Sequence, residues 1–141
     1  MPAAPFSNFQ YLVEIDGSTQ AGFTEVTGIS AEVESIEYRE GGDKGFTRKV
    51  PGLVKFPNVT LKRGIVDIHL WQWMRTVLTG ATQKSQVAIV LLDESKQPVA
   101  RFTLRNAWPR KWEGPALSAK GTDIAIESLE IVHEELNIEF L

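Results

Sequence analysis

Gln86-Val87-Ala88-Ile89-Val90-Leu91-Leu92, followed by Asp93-Glu94-Ser95-Lys96-Gln97 and then Val99-Ala100-Arg101-Phe102-Thr103-Leu104, is the stretch that decides the fold. A short apolar run bounded by turn residues reads as a buried strand, and the second segment places Ala100, Phe102 and Leu104 on one face. The connection is too short for a parallel crossover, so the pair is an antiparallel hairpin. Toward the N-terminus, Phe9, Tyr11, Val13 and Ile15 alternate as in a half-buried strand, and Asp16-Gly17 supplies turn chemistry. Gly22 to Ile29 and Ala31 to Tyr38 read as a second and a third strand. From Arg39 to Phe56 the pattern dissolves into Gly41, Gly42, Gly45, Pro51 and Gly52 among charges, which predicts a long loop or hairpin tip after the third strand.

Extended chain resumes over Asn58 to Arg63, with Val59 and Leu61 on one side. The period then changes. Leu70, Trp71, Met74, Val77 and Leu78 recur at spacings of three and four, Asp67 stands where an N-cap belongs and Gly80 where a C-cap glycine belongs, so one amphipathic helix is expected. Trp108-Pro109 and Gly114-Pro115 bracket an expected irregular segment, because proline cannot donate to a sheet ladder. A last β region runs from about Asp123 to Glu134, with a slip in the alternation near Glu127 to Leu129 that suggests a bulge, and the chain ends on apolar Ile138, Phe140 and Leu141. The sum is a mainly β chain of about seven antiparallel strands and one flanking helix, expected to form a single domain over residues 1–141.

Composition narrows the function. The chain is 43% apolar and 23% charged, with a formal charge of -3 that argues against a dedicated nucleic-acid binder. Zero cysteines exclude a disulfide scaffold, a thiol nucleophile and a thiolate metal site. Met1 to Gln10 lacks the basic and apolar segments of a secretory signal, and the longest apolar run, Val87 to Leu92, is far short of the ~20 residues of a membrane helix. A cytoplasmic chain without membrane anchoring is the expectation.

Few residues invite chemistry. Gly41-Gly42-Asp43-Lys44-Gly45 lacks the Lys-Ser/Thr pair of a phosphate loop and reads as a flexible tip. His133-Glu134-Glu135 would point to opposite faces of a strand, so these side chains cannot converge on one ion, and no metal or cofactor is expected. Asn58-Val59-Thr60 matches a glycosylation acceptor by chance. Ser118 and Ser128 have no histidine and acid at a recognisable spacing, so no catalytic residue can be nominated and an enzyme is not expected. Trp71, Trp73, Trp108 and Trp112 serve core or subunit packing; alternatively they form the platform of a monomeric β-sandwich that binds carbohydrate.

The charge pattern says more than any of these. Glu32, Glu34, Glu37, Glu40 and Asp43 stand against the single base Arg39, after which Lys44, Arg48, Lys49, Lys55, Lys62 and Arg63 follow without an acid. Asp123 to Leu141 then holds six acids and no base. Besides a solvated surface, this pattern suits a head-to-tail contact in which the basic loop of one copy meets an acidic face of the next.

Several runs carry a resemblance. Gly22-Phe23-Thr24-Glu25-Val26-Thr27-Gly28-Ile29, Ile36-Glu37-Tyr38-Arg39-Glu40-Gly41-Gly42, Arg48-Lys49-Val50-Pro51-Gly52-Leu53 and Asn58-Val59-Thr60-Leu61-Lys62-Arg63-Gly64 resemble the short tail tube proteins of contractile phages and extracellular contractile injection systems. Leu70-Trp71-Gln72-Trp73, Asn106-Ala107-Trp108-Pro109, Gly114-Pro115 and Asp123-Ile124-Ala125-Ile126-Glu127 extend the resemblance over nearly the whole chain. It implies a β-barrel-like or sandwich-like fold with one flanking helix, a structural subunit that builds six-membered rings stacked into an inner tube. The implied partners are further copies of the chain, a sheath protein, baseplate and tube-initiator proteins, and a cargo of protein effector or DNA in the lumen. With four strands from each copy in one barrel, at ~4.8 Å spacing and a tilt near 40°, the backbone diameter comes to roughly 48 Å and the lumen to about 40 Å.

The same resemblance assigns residues. The loop after the third strand would reach an adjacent ring through Glu40, Lys44, Arg48, Lys49, Leu53, Lys55 and Phe56, while the helix, with Asp67, Leu70, Trp71, Met74 and Leu78, would pack on the core or face the sheath. A type VI secretion tube protein shares the fold, but the Glu-Tyr-Arg-Glu-Gly-Gly run is closer to the phage-like branch. Main tube and tube-initiator roles both stay open.

Overall fold

The computed structural model describes residues 10–20, 22–39, 41–42, 45–119, 121 and 124–141. Its elements are β1 (Gln10–Ile15), β2 (Ser18–Gln20), β3 (Phe23–Thr27), β4 (Glu32–Tyr38), β5 (Arg48–Lys55), β6 (Val59–Gly64), α1 (His69–Leu78), β7 (Ser85–Leu92), β8 (Pro98–Glu113), β9 (Ile126–Val132) and β10 (Glu135–Phe140). All strand pairings are antiparallel.

β8 organises the body. Its first half pairs with β7 on one side and β10 on the other; its second half pairs with β9. The sheet path therefore runs β2-β1-β7-β8-β9-β6-β3, folding over at β8 into two layers. Two features produce the bend: Asn106 has φ of 52°, and the register with β9 shifts between Pro109 and Lys111. The segment around Trp108-Pro109 is thus strand, not irregular chain, because proline is tolerated at a bulge. Between the layers lie Val13, Val59, Leu61, Val87, Ile89, Leu104, Leu129 and Ile131, each buried.

Glu127 explains the slip in the alternation of β9. Its register with β6 is unbroken from Ile126 to Ile131, so no bulge exists there. Glu127 points inward at 1% exposure and meets Arg63, itself 0% exposed, with Nε donating to Oε1 at 2.8 Å. The second Glu127 oxygen accepts from Trp112 Nε1 at 2.9 Å. Arg63 also donates to Asp67 Oδ1 at 2.8 Å and stacks over Phe23. A charge on the core face looks like a polar outer position in sequence, although here it is paired and hydrogen-bonded as burial requires.

This network carries the helix. The N-cap is Ile68 rather than Asp67; Asp67 sits one residue earlier, where Oδ1 accepts from the His69 N–H at 2.9 Å. That hydrogen bond, and further the charge of Arg63, holds the Asp67 carboxyl below the usual carboxylate range. A lowered carboxyl contributes stability that is complete above its ordinary pKa and is lost as acid protonates it. Asp67→Asn is therefore expected to be less stable than the parent at pH 7, with the gap closing below about pH 4; thermal unfolding at both pH values checks this. At the other end Gly80 has φ of 82°, and Gly80 N–H donates to Val77 O while Ala81 N–H donates to Thr76 O, the two bonds of a Schellman cap. Leu70 and Met74 face the core.

Between β3 and β6 the chain leaves the body as a two-stranded arm, β4 with β5. The expected loop of Arg39 to Phe56 is therefore half strand, with Arg48–Lys55 returning along Glu32–Tyr38. Gly28, where the arm departs, has φ of 90°, and a Cβ there would stand 2.3 Å from the Asn58 carbonyl oxygen. Gly28→Ala combines left-handed strain with a backbone clash, so a loss of about 2 to 4 kcal/mol is expected in urea unfolding.

Candidate assembly interface

The arm is the candidate site. Cross-strand partners are Glu32 with Lys55, Val33 with Val54, Ser35 with Pro51, Ile36 with Val50, Glu37 with Lys49 and Tyr38 with Arg48. Because neighbours on a strand alternate faces, Ile36, Val50, Tyr38 and Arg48 share one face, while Val33, Val54, Glu37 and Lys49 share the other. Both faces are open to solvent: Leu53 is 69% exposed and Val54 61%, and Val33, Ile36, Tyr38, Phe46 and Val50 are exposed with them. A lone two-stranded hairpin is marginal in water, and these apolar side chains are uncovered among the described residues. The accessible surface of 9713 Å² exceeds the roughly 7,300 Å² of a compact monomer of this mass, and the bare arm contributes to the excess.

The registers refine the charge pattern. The acidic run lies on β4 and the basic run on β5, so part of the sign change at the arm's tip serves pairing within the hairpin, Glu37 beside Lys49 and Glu32 beside Lys55. Arg48, Lys49, Leu53 and Lys55 are strand residues spread over both faces. A Cβ at Gly52 would lie 2.8 Å from Ile36 Cδ1, the end of an exposed side chain that would have to turn aside. Phe56 belongs to the arm's foot: it is half-buried, 5.8 Å from the His133 ring. His133 Nε2 lies 3.0 Å from the Pro57 carbonyl oxygen, an anchor that nothing local in the sequence signals. Glu40 and Lys44 lie outside the described residues.

A second uncovered surface surrounds the start of α1. Ile65, Ile68, Trp71 and Trp112 line an apolar cleft with Glu127 at its floor, and Val66 and Ile124 are exposed beside it. Trp71 and Trp112 meet edge to face at 5.1 Å. Trp73 and Trp112 pack against the core, so the tryptophans do not form a flat sugar platform. Leu78 and Trp71 point outward from the helix while Leu70 and Met74 point in. His133 and Glu134 lie in the bend between β9 and β10 and not on a strand as expected; the three side chains still diverge, His133 toward Pro57, Glu135 toward Arg105, and Glu134 accepting from Lys84 Nζ and Asn106 Nδ2. These bonds, that from Lys84 foremost, hold the Glu134 carboxyl low. Among the described residues no group of three or more potential ligands could hold a metal ion, and no helix is long and apolar enough to cross a membrane.

Solved structures share this architecture. A chain of the sheath-tube complex of the extracellular contractile injection system PVC, in the extended state, superposes with a TM-score of 0.87 at 22% identity, over 97% of this chain and 93% of that one. The anti-feeding prophage tube terminating cap gives 0.88 at 22% identity, over 100% and 95%. A chain of the anti-feeding prophage baseplate gives 0.81 at 25% identity, over 99% and 97%. Hcp1 from Flavobacterium johnsoniae is more distant, at 0.61 and 11% identity over 91% and 93%. No curated protein matches in sequence. The model of the family described as T4-like virus tail tube protein gp19 matches residues 7–137. With that match over almost its full length, on a β-sandwich body that carries a bare two-stranded arm and one flanking helix, the chain belongs to the T4-like tail tube protein family, a structural and non-enzymatic one.

Proposed function

We propose that the chain builds the inner tube of a contractile injection system or contractile phage tail as six-membered rings, stacked through the arm. The carrying observation is the arm itself, a hairpin with apolar residues on both faces and no cover among the described residues. A neighbouring copy that receives it removes exposed apolar surface and stabilises its ladder, so assembly completes the fold. The roughly 40 Å lumen estimated from strand number admits a small folded protein or duplex DNA as cargo. The relatives sit in a sheath-tube complex, a terminating cap and a baseplate, which supports contacts of this chain with a sheath around the outward side of α1 and with baseplate and tube-initiator proteins at one end.

Arg48, Lys49 and Lys55, with Leu53, are the stacking residues in this reading. Arg48→Glu with Lys49→Glu is expected to shorten tubes severalfold at moderate salt, read from electron-micrograph length distributions. Because Lys49→Glu also sets like charges opposite each other within the arm, Glu37→Lys is added to restore the cross-strand pair. Tubes that stay short in the triple variant place the effect between copies. Unchanged lengths in the double variant would remove these bases from the contact.

A further inference from the structure

The arm leaves the body through two legs of equal length, Gly28 to Ala31 and Phe56 to Val59, between the last pair of the β3–β6 ladder, Thr27 with Thr60, and the first of the arm, Glu32 with Lys55. Equal legs give neither strand slack to slide past the other. Both are also stiff. Pro57 fixes its own φ and restricts Phe56 to extended backbone. In the other leg Ile29 packs against the core and Ser30 Oγ donates to the Gly28 carbonyl at 3.2 Å. The legs meet where the Asn58 carbonyl oxygen lies so close to Gly28 that no Cβ fits between them. A ribbon broken in this way can still bend at the break, so the arm's direction depends on what the legs touch outside the ribbon.

What the second leg touches is His133, 4% exposed. Its Nε2–H donates to the Pro57 carbonyl at 3.0 Å, and its ring stands 5.8 Å from that of Phe56. Nδ1 lies 3.3 Å from the Glu135 carbonyl oxygen, so the bend that carries the ring also grips its other side. That bend is fixed in turn to the point where β8 folds over. The Glu134 N–H donates to the Arg105 carbonyl at 3.0 Å, and the Glu134 carboxylate accepts from Asn106 Nδ2 at 2.8 Å and from Lys84 Nζ at 3.0 Å. The ladders on either side do not need the ring: pairing of β9 with β8 ends at Val132 and that of β10 begins at Glu135, so His133 holds no rung of either. We infer that His133 is the positioning residue of the arm, tying the arm's foot to the fold-over of β8 and so setting, before any neighbour is met, the direction in which the arm reaches for the next copy. The inference rests on the stacking reading above. Its consequence is preorganisation. An arm already aimed loses little conformational freedom on docking, whereas one that swings gives up part of the contact energy to being ordered.

A distance measurement in the single copy tests this, and the absence of native cysteine makes it direct. Spin labels are placed near the arm's tip and on the β7–β8 turn through Thr47→Cys and Ser95→Cys, both at exposed positions. The spread of distances is read by pulsed electron resonance below the concentration at which tubes form. His133→Phe keeps a ring beside Phe56 and removes the donor. The spread is then expected to widen roughly twofold, and the concentration the unlabelled chain needs for tubes to rise about three- to tenfold. His133→Gln, whose amide can donate to the Pro57 carbonyl, should return both toward the parent. His133→Ser, which admits water to that carbonyl, repeats the test should the phenylalanine variant not fold, with the same widening expected. An unwidened spread in whichever of these two variants folds overturns the inference. Failure of both to fold overturns it too, since His133 would then hold the body and not the arm. A widened spread with an unchanged threshold overturns the role in assembly. The stacking reading is decided separately by Leu53→Asp with Val54→Asp, which leaves the foot untouched: an unchanged threshold there overturns that reading whatever the spread of the arm.

Discussion

Glu127→Ala is expected to destabilise the unassembled chain by about 3 kcal/mol, because it removes the buried carboxylate that accepts from Arg63 Nε and leaves the fully buried guanidinium only the half-exposed Asp67 as its carboxylate partner among the described residues. The loss also frees Trp112 Nε1, so tryptophan fluorescence should shift in the folded baseline as well as at the urea midpoint. Replacing both partners, Arg63→Met with Glu127→Leu, should recover much of the stability, since removing both charges avoids leaving either one orphaned. A single-variant loss below 1 kcal/mol would mean that the pair does not clamp helix to sheet.

The second large effect is on assembly and spares the fold. Leu53→Asp with Val54→Asp should raise the concentration needed for tube formation at least tenfold, about 1.4 kcal/mol per contact set, while the unfolding temperature of the unassembled chain moves by no more than a degree or two. The contrast follows from β4 and β5 pairing, among the described residues, only with each other, so charges there leave the ladders of the body intact. Sedimentation across a concentration series reads the first quantity and calorimetry the second. An unchanged threshold would show that the arm is not a contact between copies.

Residues that bury one face were legible in the sequence, and residues that do something else were not. The β7–β8 hairpin, the β1–β2 turn at Asp16-Gly17 and the helix with its Gly80 cap follow from alternation, turn chemistry and a period of three to four. β5 was hidden because a strand bare on both faces has no hydrophobic period, and Pro51-Gly52 within it imitates a loop. The run through Trp108-Pro109 was hidden because a bulge permits proline inside a long strand. Glu127 imitated a slip of register because its partner Arg63 lies 64 residues away, and no local pattern marks a polar residue as buried. In the candidate site, Arg48, Lys49, Leu53 and Lys55 are nominated by the charge pattern and the family resemblance. Their placement on two faces, and the position of Phe56 at the foot, depend on pairing that sequence spacing does not encode.

The central claim is that this 15.7 kDa chain is left unfinished as a single copy. Negative-stain imaging of the purified protein at high concentration tests it most directly. Annular particles with sixfold symmetry, or tubes of stacked rings, are the predicted outcome; a uniform field of single-copy particles whose arm amides are fully protected from exchange would contradict it.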